Sequence, residues 1–394
     1  VASTFIKATQ VARQALGLLE RELVLPRLVW RDGFGDFTGA QGDAITVRVP
    51  AYMAARTRTL RAGTPITVDE LNETSITVTL DTDVYKAVGV SDEEMTLDIV
   101  NFGEQVTQPT MASVARGIED AVATHIAAAT MSELEVDNTD PVDTIFDART
   151  ALNKANVPMN GRVLLLGADL ENKILKSDRF TASVSGDAVA SDALRDATLG
   201  RIAGFTVVGS NAIDPDEGVA FHATAFALAM RAPVVPAGAA WGMSTSYNGL
   251  AMRVLRDYDF LNVRDRLLAD VFIGVDSVTD YGVIDSEGRF EPEPDGAGST
   301  ITLATSAAGD DIIDTATAHG FVAGQAVHFP SLTGGTGLST GTTYYVISAN
   351  LGAQTFQVST TPNGSAALFS ADITAGTVAR TPTLVRAVRL VDDA

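Results

Sequence analysis

Cysteine is absent from this chain of 394 residues. Disulfides, thiolate metal sites and thiol nucleophiles are therefore excluded, and the composition suits a reducing compartment. Cations are scarce: 28 Lys and Arg stand against 49 Asp and Glu, for a formal net charge of -21. Direct binding of nucleic acid displaces counterions with cationic side chains, and no basic run is present to do so. The acidity serves solubility, or a surface that must live beside nucleic acid without holding it. Long apolar runs are missing too. The longest uncharged stretch, 232–252, is broken by Pro233, Pro236 and several glycines and serines and is unsuited to cross a bilayer as a helix. Near the start, Arg13, Glu20, Arg21 and Glu22 interrupt any signal-like apolar core. The chain reads as soluble, with no membrane partner.

What the chain does have is apolar content, 46% of its residues, enough for the cores of two or three domains. Ile45, Val47 and Val49 alternate with polar residues, and Ile76, Val78 and Leu80 do so again. This predicts two strands of an extended ribbon. Between them lie Arg56, Arg58 and Arg61, then Asp69, Glu70 and Glu73. Two strands with one modest apolar face are not stable alone in water, so the ribbon must lie on the rest of the chain or on another copy. A solvated loop would explain the arginines. Docking onto the acidic surface of a neighbouring copy, with guanidinium forks on carboxylates, is the functional reading, and the six charged residues are its candidate intersubunit contacts.

Directly after the ribbon, Ser91 and Glu94 have the spacing of a capping box. Pro109 should kink or divide the helix that follows. Met111, Val114, Ile118, Val122, Ile126 and Ala129 then form one stripe, predicting a strut roughly 30 Å long at ~1.5 Å per residue. Thr4 to Leu23 has helical spacing and reads as an N-terminal arm. From Val142 the pattern becomes α+β. A helix ending near Pro158 is followed by a buried strand at Arg162–Leu166 and a short helix at Asp169–Leu175. A loop is expected at 180–198, strands at 205–208 and 219–221, and a short helix at 223–230. Leu250–Tyr258 and Arg266–Val275 read as adjacent strands. After Glu291–Pro292–Glu293–Pro294 the composition changes: 296–379 has no Lys or Arg and is rich in threonine and glycine. Short β-type runs there predict a small all-β barrel or sandwich, inserted before a returning C-terminal strand.

No catalytic constellation stands out, and the chain reads as a non-enzyme without cofactor or metal. His125 lies on the strut stripe, as a satisfied interior histidine would. His319 and His328, near Asp310, Asp311 and Asp314, match no ligand spacing, and turn chemistry accounts for the aspartates. Gly33, Gly35 and Gly39 miss the dinucleotide spacing, and Gly334–Gly335–Thr336–Gly337 lacks a lysine and a following helix. Glu93 and Glu94 fall in a helix's first turn, where the dipole favours negative charge.

The order of parts, an N-terminal arm, a two-stranded loop, a spine helix, an α+β region and returning strands, resembles the major capsid protein of tailed bacteriophages, the HK97-like fold. Local runs also resemble that family: Asn156–Val157–Pro158 ahead of 162–166, 202–207, and Asn248–Gly249–Leu250–Ala251–Met252–Arg253 with Arg256–Asp257–Tyr258–Asp259. The resemblance covers roughly 1–290, plus 381–394. It implies an arm at 1–43, an extended loop at 44–90, a peripheral domain with the spine helix at 91–141 and returning strands at 249–290, a mainly axial domain at 142–248, an all-β accessory module at 291–380 displayed outside, and a returning strand at 381–394. It further implies a shell of pentamers and hexamers enclosing double-stranded DNA without sequence-specific binding, assembled in the host bacterial cytoplasm, with a portal. The family's N-terminal scaffolding segment is not seen here, which implies its removal or a separate scaffolding protein. Lysine stops at Lys176, and no cross-linking Lys–Asn pair is assigned. The alternative is a tail or fibre subunit whose β module binds a cell-surface glycan.

Overall fold

The computed structural model describes residues 24–31, 44–49, 57–59, 65–66, 68, 74–97, 102–177, 200–247, 250–284, 287, 289–292, 300–361 and 364–392. The predicted arm helix and the loop at 180–198 lie outside these residues. Ala44–Val49 pairs antiparallel with Thr74–Thr79, setting Ile45 opposite Val78 and Val47 opposite Ile76. Opposed residues share a face, so the alternation read from the sequence gives the ribbon its apolar side. At the base that side meets the chain's own body: Val78 is buried with Ala227, Ala229 and Val278, and Trp30, Ile76 and Leu80 pack at the edge.

The chain then runs into Thr82–Ser91, the edge strand of an antiparallel sheet ordered Trp241–Tyr247, Leu250–Asp259, Arg264–Ser277, Thr82–Ser91. Arg264–Ser277 is long enough to hold two partners in succession. Leu250–Asp259 pairs with its first half and Phe226–Arg231 with its second. Phe226–Arg231 is a strand where a short helix was expected over 223–230. Phe226, Ala227, Leu228 and Ala229 are all buried, and a short continuous apolar run carries no periodicity that separates a doubly buried strand from a helix.

Ser91 and Glu94 form the capping box. Glu94 N donates to Ser91 Oγ at 3.2 Å, and Ser91 N donates to Glu94 Oε2 at 2.9 Å. Helix Asp92–Leu97 follows, and a π-helical turn at Gly103–Thr107 leads into helix Gln108–Ala128. Pro109 sits in that helix's first turn, where a missing N–H costs nothing. The stripe is continuous, but its two halves serve different cores. Met111, Val114 and Ile118 pack against Met252, Val254, Leu267 and Val271 of the antiparallel sheet. Val122 and Ile126 pack with Leu25, Phe221, Phe226 and Leu384. The helix therefore braces two layers.

The second sheet is mixed and ordered Met131–Glu135, Leu384–Val391, Glu217–His222, Arg162–Leu166, Phe205–Gly209, Arg201–Ile202. Arg162–Leu166 is buried along its whole length, as its apolar run predicts. Helices Pro141–Lys154 and Ala168–Leu175 cover one face through Ile145, Ala148, Leu152, Leu170 and Ile174. The strand nearest the C-terminus thus lies inside this sheet rather than at its edge, which ties the end of the chain into the body.

Six antiparallel strands between 301 and 380 form one sheet around a core containing Phe321, Val327, Phe329, Phe356 and Phe369. A bridge between Leu303 and Thr315 joins the first strand of the sheet to the last, with Ala304 N donating to Asp314 O at 2.8 Å and Ala316 N to Thr302 O at 2.9 Å. The sheet is closed into a barrel, which removes its free edges. Its mounting is tight. Asp280 and Thr383 exchange backbone hydrogen bonds at 2.9 Å, and Arg386 grips Asp280 through two nitrogens at 2.9 and 3.0 Å. Gly324 stands at φ +87, and a Cβ there would lie 1.6 Å from the Ile284 carbonyl oxygen. Only glycine permits that approach of barrel to connector.

Candidate assembly surfaces

The histidines are held by local hydrogen bonds. His125 Nε2 is 3.0 Å from Ser277 Oγ, and its ring meets Phe226 edge-on. His222 Nε2 donates to the Asn160 carbonyl at 2.8 Å, leaving Nδ1 to accept from Thr224. His319 Nδ1 accepts from Phe321 N at 2.9 Å while its ring stacks on Phe321. Burial lowers the pKa of all three below the ordinary 6.5. His328 Nδ1 lies 2.9 Å from Thr381 Oγ1. Asp310 and Asp311 accept from the backbone N–H groups of Ile312 and Phe369. Among the described residues no group of His, Asp and Glu is placed to hold a metal ion. Also among them, no helix is long and apolar enough to cross a membrane.

Of the six charged residues predicted as intersubunit contacts, Arg58 is described and exposed. Arg56, Arg61, Asp69, Glu70 and Glu73 lie outside the described residues. Further along the same loop, Ile66 and Val68 are 72% and 89% exposed, a poor arrangement for a chain alone in water. At the ribbon base a cleft of about 600 Å³ is lined by Leu80, Asp81, Asp83, Arg231, Val234 and Phe272. Burial raises the Asp83 pKa, the charge of Asp270 adds to this, and Arg253 opposes it. Behind this cleft Arg253 Nε donates to Asp270 Oδ1 at 2.9 Å, and its Nη1 donates to the Val234 carbonyl.

Sequence reading missed a second exposed feature. Between strands Leu250–Asp259 and Arg264–Ser277, the turn places Phe260, Leu261 and Val263 at 85%, 95% and 54% exposure. The signal was present as three apolar residues in a four-residue connection, where turn-forming polar residues are the rule. In the primary sequence such a run reads as strand.

The described residues contain two sheets braced by one helix, a two-stranded ribbon and a closed barrel. A family model described as phage capsid protein matches residues 73–289. The chain belongs to that family, and is a structural, non-enzymatic subunit of the virion capsid. The tail-fibre alternative is thereby set aside. Among solved structures the chain is similar to one from Mycobacterium phage Che8, with 24% identity and a TM-score of 0.50 over 65% of this chain and 88% of that one. That likeness shows the shared HK97-like α+β fold. The capsid of cyanophage P-SCSP1u has 13% identity and a TM-score of 0.48, covering 71% of this chain and 87% of that chain. The mature capsid of bacteriophage PhiM1 has 12% identity and a TM-score of 0.45, covering 70% and 86%. No curated protein matches the chain.

Proposed function

We propose that this subunit assembles with copies of itself into an icosahedral shell of pentamers and hexamers around double-stranded DNA, inside the host bacterial cytoplasm. The carrying observation is the ribbon. Its base is seated on the chain's own sheet at Val78, while Ile66 and Val68 farther out remain in solvent. A second copy is the surface that covers them. In this reading Arg56, Arg58 and Arg61 meet carboxylates of the neighbouring copy, and Asp69, Glu70 and Glu73 meet its cations.

The net charge of -21 fits the same role. A lining without basic runs leaves packaged DNA free to slide, since binding it would need cationic contacts. The barrel decorates the outer face, and a portal and a separate scaffolding protein complete the partners. Replacing Arg56, Arg58 and Arg61 together by alanine is expected to leave the circular dichroism spectrum unchanged and to abolish closed particles in negative-stain micrographs. Particles of normal number and size from that variant would remove the docking role.

A further inference from the structure

We propose that Asn160 and Gly161 form a self-modifying site, at which the asparagine side chain loses its amide as ammonia and becomes a carboxylate. The inference goes beyond the shell reading and does not depend on it.

Three Asn–Gly pairs occur in the sequence, and this is the one whose two residues are both described. The pair forms the turn ahead of the buried strand Arg162–Leu166. Asn160 is exposed, and its side chain makes no hydrogen bond among the described residues. Gly161 stands at φ +78 and has no side chain to obstruct its nitrogen. Its N–H donates to no backbone group among those residues. The two reacting groups are thus neighbours in the chain, and neither is engaged elsewhere.

His222 supplies the activation. Its Nε2 donates to the Asn160 carbonyl at 2.8 Å, while Nδ1 accepts from Thr224 N at 3.2 Å, which fixes the proton on Nε2. That carbonyl belongs to the same peptide unit as Gly161 N. Electron density drawn to its oxygen makes the N–H a stronger acid. Once the proton is lost, the nitrogen attacks Asn160 Cγ. The bond from Gly161 N to Cγ forms, and the side-chain oxygen takes up the charge. On collapse the Cγ–Nδ2 bond breaks, and ammonia leaves carrying the proton that Gly161 N gave up. Water then opens the cyclic imide at either carbonyl, giving aspartate or its β-linked isomer. One amide and one water become one carboxylic acid and one ammonia, with no oxidant or cofactor.

Charge favours this product. Arg162, two residues on, is 4% exposed, and its Nε and Nη2 donate to the Pro158 and Val157 carbonyls. It has no carboxylate partner among the described residues. Burial first, then the charges of Arg386 and Arg162, lower the His222 pKa. The turn therefore lies in a locally positive field, on a chain whose net charge is -21. An anionic adduct, and then a carboxylate at 160, is stabilised there. The change needs only water and is not reversed, so it accumulates with the age of the chain.

The test keeps the full-length chain at near-neutral pH for weeks, with samples digested by trypsin. Cleavage after Lys154 and Arg162 releases 155–162, which holds both Asn156 and Asn160. Asn156 is a built-in reference, since its Nδ2 donates to the Phe290 carbonyl at 3.2 Å and a β-branched valine follows it. Tandem mass spectrometry is expected to find acid at Asn160 and amide at Asn156. His222→Phe keeps a ring and removes both nitrogens. It should slow conversion at Asn160 roughly tenfold or more, while Asn248 and Asn363 convert at unaltered rates. Gly161→Ala, which leaves His222 in place, should slow it too. The proposal is overturned if Asn160 keeps its amide, if Asn156 converts as fast, or if either variant converts Asn160 at the unaltered rate. It also fails if His222→Phe shifts all three Asn–Gly sites alike, as a general loosening of the fold would.

Discussion

The body and the barrel hold their buried polar groups by different chemistry. In the body, Arg253 binds Asp270 across one hairpin, while Lys173 binds Asp392 at 2.6 Å and Arg386 binds Asp280, the last two linking segments distant in sequence. In the barrel, hydrogen bonds of hydroxyl, amide and carboxylate groups to the backbone and to one another do most of this work. Thr315 Oγ1 donates to the Thr317 carbonyl at 2.7 Å, Gln357 Nε2 to the Asp310 carbonyl at 2.9 Å, and Ser339 N to the Tyr344 phenolic oxygen at 2.9 Å. Segment 296–379 has no Lys or Arg with which to do otherwise. A closed sheet satisfies its own backbone and needs few side-chain ties, whereas the body must join two open sheets through one helix. Ionic pairs there tie strand to strand, helix to C-terminal segment and strand to connector.

The largest effect that would break this comparison is expected in the barrel core. Phe356 is fully buried and meets His319 and Phe321 edge-on. Phe356→Ala should cost about 4 kcal/mol by cavity formation. If barrel and body unfold separately, calorimetry should show one transition lowered and the other unmoved. A common shift of both would mean that the connector welds them into one cooperative unit.

Next in size is Asp270→Ala in the body. Asp270 is 2% exposed, so its removal takes from the part-buried Arg253 guanidinium the carboxylate that both its Nε and Nη2 contact, at a cost of about 3 kcal/mol. Denaturant unfolding should show the loss in the body's transition alone. An unchanged midpoint would mean that the ion pair does not tie the sheet.

The smallest expected effect is on pH. Burial lowers the pKa of His125 and His222 in the body and of His319 in the barrel, from 6.5 in each case. The unfolded chain therefore binds protons first as pH falls. The stability conferred by the neutral rings is complete above about pH 7 and is lost as pH drops below 6.5 through the folded values. Melting temperatures taken from about pH 7.5 down to about pH 5 should fall, and further for the body, with two such histidines, than for the barrel, with one. An equal or reversed loss would contradict the assignment.

Much of this architecture is legible in the chain itself. The ribbon's alternation gives the register that pairs Ile45 with Val78. The capping box forms at Ser91 and Glu94, and the apolar stripe from Met111 to Ile126 is buried along its length. The strand at Phe226–Arg231 was not legible, because a short run buried on both faces has no period. Strand Trp241–Tyr247 was missed for the opposite reason: it lies at the sheet's edge, and its small polar residues carry little pattern. Of the candidate contact site, the sequence offered six charged positions, one of them, Arg58, now described as exposed. The turn at 260–263 was hidden, since Phe260, Leu261 and Val263, interrupted only by Asn262, look like core until their neighbours are known.

By itself, the sequence determined what is local: spacing along helix and strand, the helix cap, the change of composition before the barrel, and the net charge of -21. Those properties depend on residues a few positions apart. Tertiary structure alone decided that the strut serves two cores, that Leu384–Val391 enters the middle of a sheet, and which apolar side chains stay in water. Burial is a property of pairs distant in sequence, and no periodicity within one segment encodes what will lie across from it.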